Sequence, residues 1–142
     1  MKIENNRLGV EIAFALYGAA SRVIRAHKPF LEPLGLTFPQ YLVVLELLDE
    51  APLTVGELGL RLGMDTGTIT PLLKRLQTSG KITRIRDQHD ERRVLVELTA
   101  EGKVLENEIR QVNGKIKSAC QLSESDLLDL RDKLKALAHP AE

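Results

Sequence analysis

Two short amphipathic segments separated by Gly63-Met64-Asp65 limit what this chain can become more than any other feature. Thr54 followed three residues later by Glu57 has the pattern of a capping box, in which side chains satisfy the first unpaired N–H groups of a helix. That helix is expected to end near Gly63, because glycine takes the left-handed conformation that closes helices. Asp65 or Thr66 then caps a second helix that runs to Gln77 and stops at Gly80. Two helices joined by so tight a turn form a helix-turn-helix. Pro71 lies inside the second and removes one intrahelical hydrogen bond, so a local bend is expected there.

A hairpin follows. Ile82-Thr83-Arg84-Ile85-Arg86 and Val94-Leu95-Val96-Glu97-Leu98 alternate as paired strands do. Between them, residues 87–93 (DQHDERR) are too polar for a core and suit a protruding tip. The remainder reads as helix. Ile12, Ala13, Leu16, Ala19, Ala20, Val23 and Ile24 recur at helical spacing from Leu8 to about Pro29, with small residues that allow close helix packing. Thr37 and Gln40 form a second capping box, opening an apolar core helix through Leu48 with Pro39 in its first turn. Thr99 caps one long helix over residues 100–119, and Ser123 with Asp126 opens a last one to about Leu137. The fold class is therefore mainly α with a small β-hairpin, about six helices in all.

Basic and acidic side chains number 20 each, so overall charge carries no sign of a nucleic-acid partner. Between Thr66 and Val96, however, Lys74, Arg75, Lys81, Arg84, Arg86, Arg92 and Arg93 face only Asp87, Asp90 and Glu91, a surplus of four positive charges. The rest of the chain is acidic by the same amount. A basic patch on an otherwise acidic molecule fits a DNA binder, although a solvated charged hairpin has the same composition. The one cysteine, Cys120, excludes an intrachain disulfide framework and a cysteine-rich zinc site. His27, His89 and His139 lack metal-ligand spacing and read as solvated, so neither a metal nor a cofactor is implied. With no signal-peptide pattern and no apolar run approaching about eighteen residues, a soluble, cytoplasmic chain without a membrane partner is expected.

The second helix of the pair suits a DNA groove. A recognition helix presents its N-terminal residues to base edges. Thr66, Thr68 and Thr70 are short, with hydroxyls for bases or phosphates and methyls for thymine, and Gly67 keeps the entry uncrowded. Lys74 and Arg75 lie one turn further on, where phosphates or guanines are met. Ile69, Leu72, Leu73 and Leu76 take the opposing spacing and should face the core. In the hairpin, Arg92 is placed to enter a minor groove, with Asp90 orienting its guanidinium. Arg84, Arg86 and Arg93 are expected on phosphates, where they set register without reading sequence.

Residues 53–102, from LTVGEL to LTAEG, resemble the MarR family of dimeric winged-helix regulators, including the D-x-R wing at Asp90–Arg92 and L-T-x-x-G at Leu98–Gly102. Leu36–Leu42 and Asp65–Pro71 resemble its organic-hydroperoxide-sensing branch. The resemblance covers nearly the whole chain. It implies a single domain, 1–142, with residues 1–35 and 100–142 supplying dimerisation helices and 36–99 a winged helix-turn-helix. It also implies a homodimeric, non-enzymatic regulator of the stress-response kind that binds a pseudo-palindromic double-stranded operator. Repression is expected through blocked polymerase access, with release by a small-molecule or oxidative signal.

Sensors of that branch carry a reactive cysteine on the first helix, a few residues before a tyrosine. Tyr17 matches the tyrosine, but the cysteine position falls on Ala13, and the branch's second tyrosine is replaced by His27. Alanine forms no sulfenate. Cys120 falls where two-cysteine members keep a resolving thiol; it reads as an inert core cysteine, an independent sensor or the surviving half of a thiol switch, and a thiol-dependent organic-hydroperoxide sensor with its primary cysteine replaced is one alternative. The other signal class is a small apolar or aromatic effector in a pocket lined by Ala13, Leu16, Tyr17, Ala20, Phe38 and Tyr41, residues that equally suit a plain core. A hydrolase or oxidoreductase built on Cys120 lacks any evident base, and a module used only for protein assembly is the remaining alternative.

Overall fold

In the computed structural model, which describes residues 2–119 and 121–139, seven α-helices surround a three-stranded antiparallel sheet. Helix α1 spans Lys2–Leu31, a single 3-10 turn follows at Glu32–Leu34, and α2 spans Phe38–Asp49. Strand β1 (Leu53–Thr54) leads into α3 (Val55–Leu62) and α4 (Thr66–Thr78). Strands β2 (Ile82–Arg86) and β3 (Val94–Leu98) form the hairpin, and α5 (Ala100–Val104), α6 (Glu106–Ala119) and α7 (Glu124–Ala138) complete the chain. No single helix among the described residues is long and apolar enough to cross a membrane.

The cap chemistry read from the sequence is present. Thr37–Gln40 and Thr54–Glu57 each make both reciprocal capping-box bonds, and Asp65, Thr99 and Ser123 each accept a backbone N–H from the third residue of their helices. Three features depart from expectation. Helix α1 begins at Lys2, ahead of the expected Leu8, and continues past Pro29 to Leu31, whose side chain is buried in the core. The helix expected over 100–119 breaks at Leu105, where the amide bonds back three residues to the Gly102 carbonyl instead of four. And β1, too short to leave a periodic signal, pairs with β3 through Leu53↔Val96 and Thr54↔Leu95, giving strand order β1-β3-β2.

One core runs through residues 31–112. It joins Leu31 and Leu36 to Tyr41, Val43, Val44 and Leu47 of α2, Leu58 of α3, the apolar face of α4, the inner faces of the sheet, and Ile109 and Val112 of α6. Fully burying each such aliphatic side chain stabilises by about 1.5–3 kcal/mol relative to exposure. The described side chains of α1 before His27, and all of α7, lie outside this core. They leave Ile12, Phe14, Tyr17, Ile24, Leu130 and Leu137 exposed.

The hairpin is rooted by the T-x-x-G segment. Thr99 donates its hydroxyl to the Gly80 carbonyl (2.6 Å) and its amide to the Lys81 carbonyl (3.0 Å), while the Gly102 amide donates to the Thr99 hydroxyl (3.1 Å). Gly102 is buried against this strand entry, and a Cβ there would overlap the Lys81 carbonyl oxygen. Because that atom is backbone, Gly102→Ala is expected to cost on the order of 2 kcal/mol as an overpacked site. Thermal unfolding should show a midpoint lowered by several degrees. Gly56→Ala, whose Cβ meets nothing nearer than Thr54 Oγ1 at 3.9 Å, should leave the midpoint unchanged or raised.

Candidate nucleic-acid interface

The turn between α3 and α4 is set by backbone geometry. Gly63 adopts φ 65°, and the Met64 amide donates to the Gly59 carbonyl at 2.8 Å. Gly59 faces the Met64 carbonyl oxygen so closely that a Cβ there would stand 2.8 Å from it. Asp65 then caps α4 by accepting the Thr68 amide at 2.9 Å. Helix α4 buries Ile69, Leu72, Leu73 and Leu76 and leaves Thr66, Gly67, Thr68, Lys74 and Arg75 exposed, with Thr70 half-buried. Pro71 is also exposed, and the helix continues beyond it to Thr78. A short-side-chained polar face thus points outward, fixed by four apolar anchors on the opposite face.

The wing tip is held by its own polar groups. The Asp87 amide donates to the Arg93 carbonyl (2.8 Å), the His89 amide to Asp87 Oδ1 (2.9 Å) and Arg86 Nη1 to the Glu91 carbonyl (2.9 Å). Asp90 Oδ1 accepts from both the Arg92 amide (3.1 Å) and Arg92 Nε (3.2 Å). The Arg92 side chain is nevertheless 90% exposed, so the carboxylate orients the guanidinium without withdrawing it from solvent. Hydrogen bonds from the Arg92 side chain, and then from its amide, hold the Asp90 carboxyl below its ordinary pKa, because both favour the charged form.

Arg84 and Arg93 contact protein groups, while Arg86 stays exposed at the wing. Arg84, half-buried, donates Nε–H to Gln77 Oε1 of α4 at 2.8 Å. Arg93 lies 3.7 Å from Glu57 of α3 and 3.9 Å from Asp87. Glu57 therefore serves twice, as a cap residue and as a counter-charge to the wing. Gln77, Glu57 and Asp87 were not among the expected site residues. Of the three, only Glu57 carried a sequence signal, and that signal reported its capping role alone.

The residues expected around an effector or sensor separate into two groups. His27, Phe38 and Tyr41 meet where α1 crosses α2, with ring centroids 4.8 Å apart for His27–Phe38, 5.6 Å for His27–Tyr41 and 6.1 Å for Phe38–Tyr41. His27 is 7% exposed and its Nδ1 lies 2.7 Å from the Val23 carbonyl, so the solvated histidine expected there is instead a packed one. Burial raises the Tyr41 pKa. Ala13, Leu16 and Tyr17 lie up α1, roughly 15 Å or more along the helix from His27 at 1.5 Å per residue, and Tyr17 is 77% exposed. Within one chain they do not join the ring cluster. Cys120 lies outside the described residues. Beside the cluster, Ile24, Leu31, Leu36 and Phe38 line a mostly apolar cavity of about 280 Å³ together with Arg25 and the Lys28–Glu32 ion pair (3.8 Å).

Comparison with known proteins places these features in context. The family described as Transcriptional regulator SarA/Rot matches residues 25–109. The organic hydroperoxide resistance transcriptional regulator of Bacillus subtilis is 39% identical over 137 residues, covering 96% of this chain and 90% of the relative. SarZ, an HTH-type transcriptional regulator of Staphylococcus aureus, is 29% identical over 135 residues, covering 95% and 91%. Among solved structures, reduced AbfR bound to DNA superposes with a TM-score of 0.81 at 32% identity, covering 96% of this chain and 98% of that one. AbfR is a Staphylococcus epidermidis protein.

The Asp90 latch has a pH signature. A carboxyl whose pKa is depressed in the folded chain stabilises the wing above its ordinary pKa and loses that contribution as pH falls through the lower folded value. NMR titration of the Asp90 carboxyl carbon should therefore give a midpoint below 3.8, moving back toward 3.8 in Arg92→Ala. A midpoint at or above 3.8 in the unaltered protein would contradict the latch.

Proposed function

The chain belongs to the SarA/Rot family of transcriptional regulators, of the MarR winged-helix type near the organic-hydroperoxide branch, and from that premise we propose that it is a homodimeric, operator-binding repressor. The observation that carries this is the pairing of an outward polar face on α4 with an exposed Arg92 held by Asp90 on the adjoining wing. Thr66, Gly67, Thr68 and Thr70 approach base edges in the major groove, with Lys74 and Arg75 on phosphates or guanine. Arg92 enters the neighbouring minor groove, where negative potential is strongest at narrow A·T-rich sites. Arg86, at the outer end of β2, lies nearest the phosphates among the remaining wing arginines.

The exposed apolar side chains of α1 and α7 belong to the dimer, which interlocks these helices between chains. Two reading heads then address half-sites about 10 base pairs apart in a pseudo-palindrome. The protein acts in the cytoplasm, on DNA and not on a chemical substrate. Release follows binding of a small apolar or aromatic effector near the α1–α2 junction, where the mostly apolar cavity beside Phe38 suits an apolar body and Arg25 an acidic group on it. The absence of a thiol at Ala13 favours this over direct oxidation on α1; an oxidative signal would run through Cys120.

Selection of genomic fragments on the purified protein should recover specific DNA. Arg92→Ala should weaken binding by on the order of a hundredfold and reduce the dependence of log affinity on log salt by about two, one for each chain of the dimer. Unchanged affinity at moderate salt would refute the role given to Arg92. For the signal, small aromatic acids should release the retained fragment while organic hydroperoxide leaves it bound. Release by peroxide that Cys120→Ser abolishes would instead establish thiol control.

A further inference from the structure

Arg84 and Arg92 lie eight residues apart on one hairpin, yet their surroundings differ. Arg84 sits on the inner face of β2, opposite the fully buried Val96, and is itself half-buried. Its Nε–H bonds to the neutral amide oxygen of Gln77, in the last turn of α4. A neutral acceptor asks for a donor at that place and makes no use of the charge. The root of the hairpin is fixed by β1 and by Thr99, and further out Arg93 makes a longer ion pair with Glu57 of α3 at 3.7 Å. Among the described side chains, the Arg84–Gln77 bond is the short link between wing and α4.

We propose that Arg84 is a positioning residue: its Nε–H bond to Gln77 sets the angle between the wing and α4, so that Arg92 and the threonine face meet DNA together. This rests on the DNA-binding reading above and replaces the phosphate contact expected for Arg84. A wing that swings loses joint engagement, since both contacts must be made at once.

Side-chain geometry supplies the test. Glutamine carries Nε2 on Cδ, where arginine carries Nε, so Arg84→Gln keeps the donor and deletes the charge. Lysine places a methylene there, so Arg84→Lys keeps the charge and moves the donor one bond beyond the position that meets Gln77. Gln77→Leu, at an exposed helix position, removes the acceptor alone. On a fragment retained by the unaltered protein, Arg84→Lys and Gln77→Leu should each bind about tenfold more weakly with an unchanged salt slope, as loss of one hydrogen bond in each chain of the dimer implies. Arg84→Gln should stay within about threefold with the same slope. In DNA-free protein, backbone hydrogen exchange across β2 and β3 should quicken in Arg84→Lys and Gln77→Leu but not in Arg84→Gln. That arm keeps this inference separate from the DNA-binding reading itself. Retained affinity in Arg84→Lys, with weakened binding and a slope smaller by about two (one per chain of the dimer) in Arg84→Gln, would make Arg84 a phosphate contact and overturn the proposal. Equal behaviour of the two variants in both measurements would overturn it as well.

Discussion

Ile69, Leu72, Leu73 and Leu76 bury one face of α4 in the core, and the rest of the DNA face follows from that burial. Their spacing fixes the rotation of the helix about its axis. Once they are inside, the threonines and the Lys74–Arg75 pair have nowhere to go but outward. The same four residues set the start of β2, because the chain leaves α4 through Gly80 in a left-handed conformation (φ 82°) and enters the strand at buried Ile82. Thr99 and Gly102 then close on the Gly80–Lys81 backbone, so the second strand returns to the point where the first began. Recognition helix and wing are thus two ends of one packed unit.

Charge is distributed on this frame by exposure as well as by sequence. The segment 66–96 has a surplus of four positive charges in a neutral chain, but its arginines are not equivalent. Arg92 stands out in solvent, steadied by a carboxylate, and is available to a polyanion. Arg84 and Arg93 face Gln77, Glu57 and Asp87, and hold protein to protein. Pairing of this kind between exposed groups contributes little to global stability, on the order of 1 kcal/mol or less per pair. Its consequence is directional: it limits where the exposed arginine can be. A wing with the same composition but without those inward contacts would carry the same electrostatic attraction with less register.

What could be read in advance was whatever is encoded locally. Capping boxes at Thr37–Gln40 and Thr54–Glu57, the turn glycine at Gly63 and the alternation of 82–86 with 94–98 each lie within a few residues, so the sequence pattern carried them. The missed features depend on separated residues. Strand β1 exists because β3 lies beside it, over forty positions later. The break at Leu105 accompanies the burial of Gly102 against Lys81. The partners of Arg84 and Arg93 lie on α4 and α3, a juxtaposition that only the packed fold supplies. His27 read as a solvated histidine because its burial comes from α2, through Phe38 and Tyr41. Ala13, Leu16 and Tyr17 fall on a helix face that one chain leaves uncovered, so their neighbours are a matter for the dimer.

Helix α2 carries the ring cluster near its start and packs on α3 and α4 further along, so it joins the site proposed for the effector to the face proposed for DNA. Whatever displaces α1 against α2 moves the frame that holds α4. The central claim, that α4 and the wing engage DNA as one surface, is tested most directly by hydrogen exchange with and without the selected fragment. Amides of residues 66–70 and 89–93 should slow together on DNA, with those of α7 unchanged. Protection confined to one of the two segments, or found on α7 instead, would contradict it.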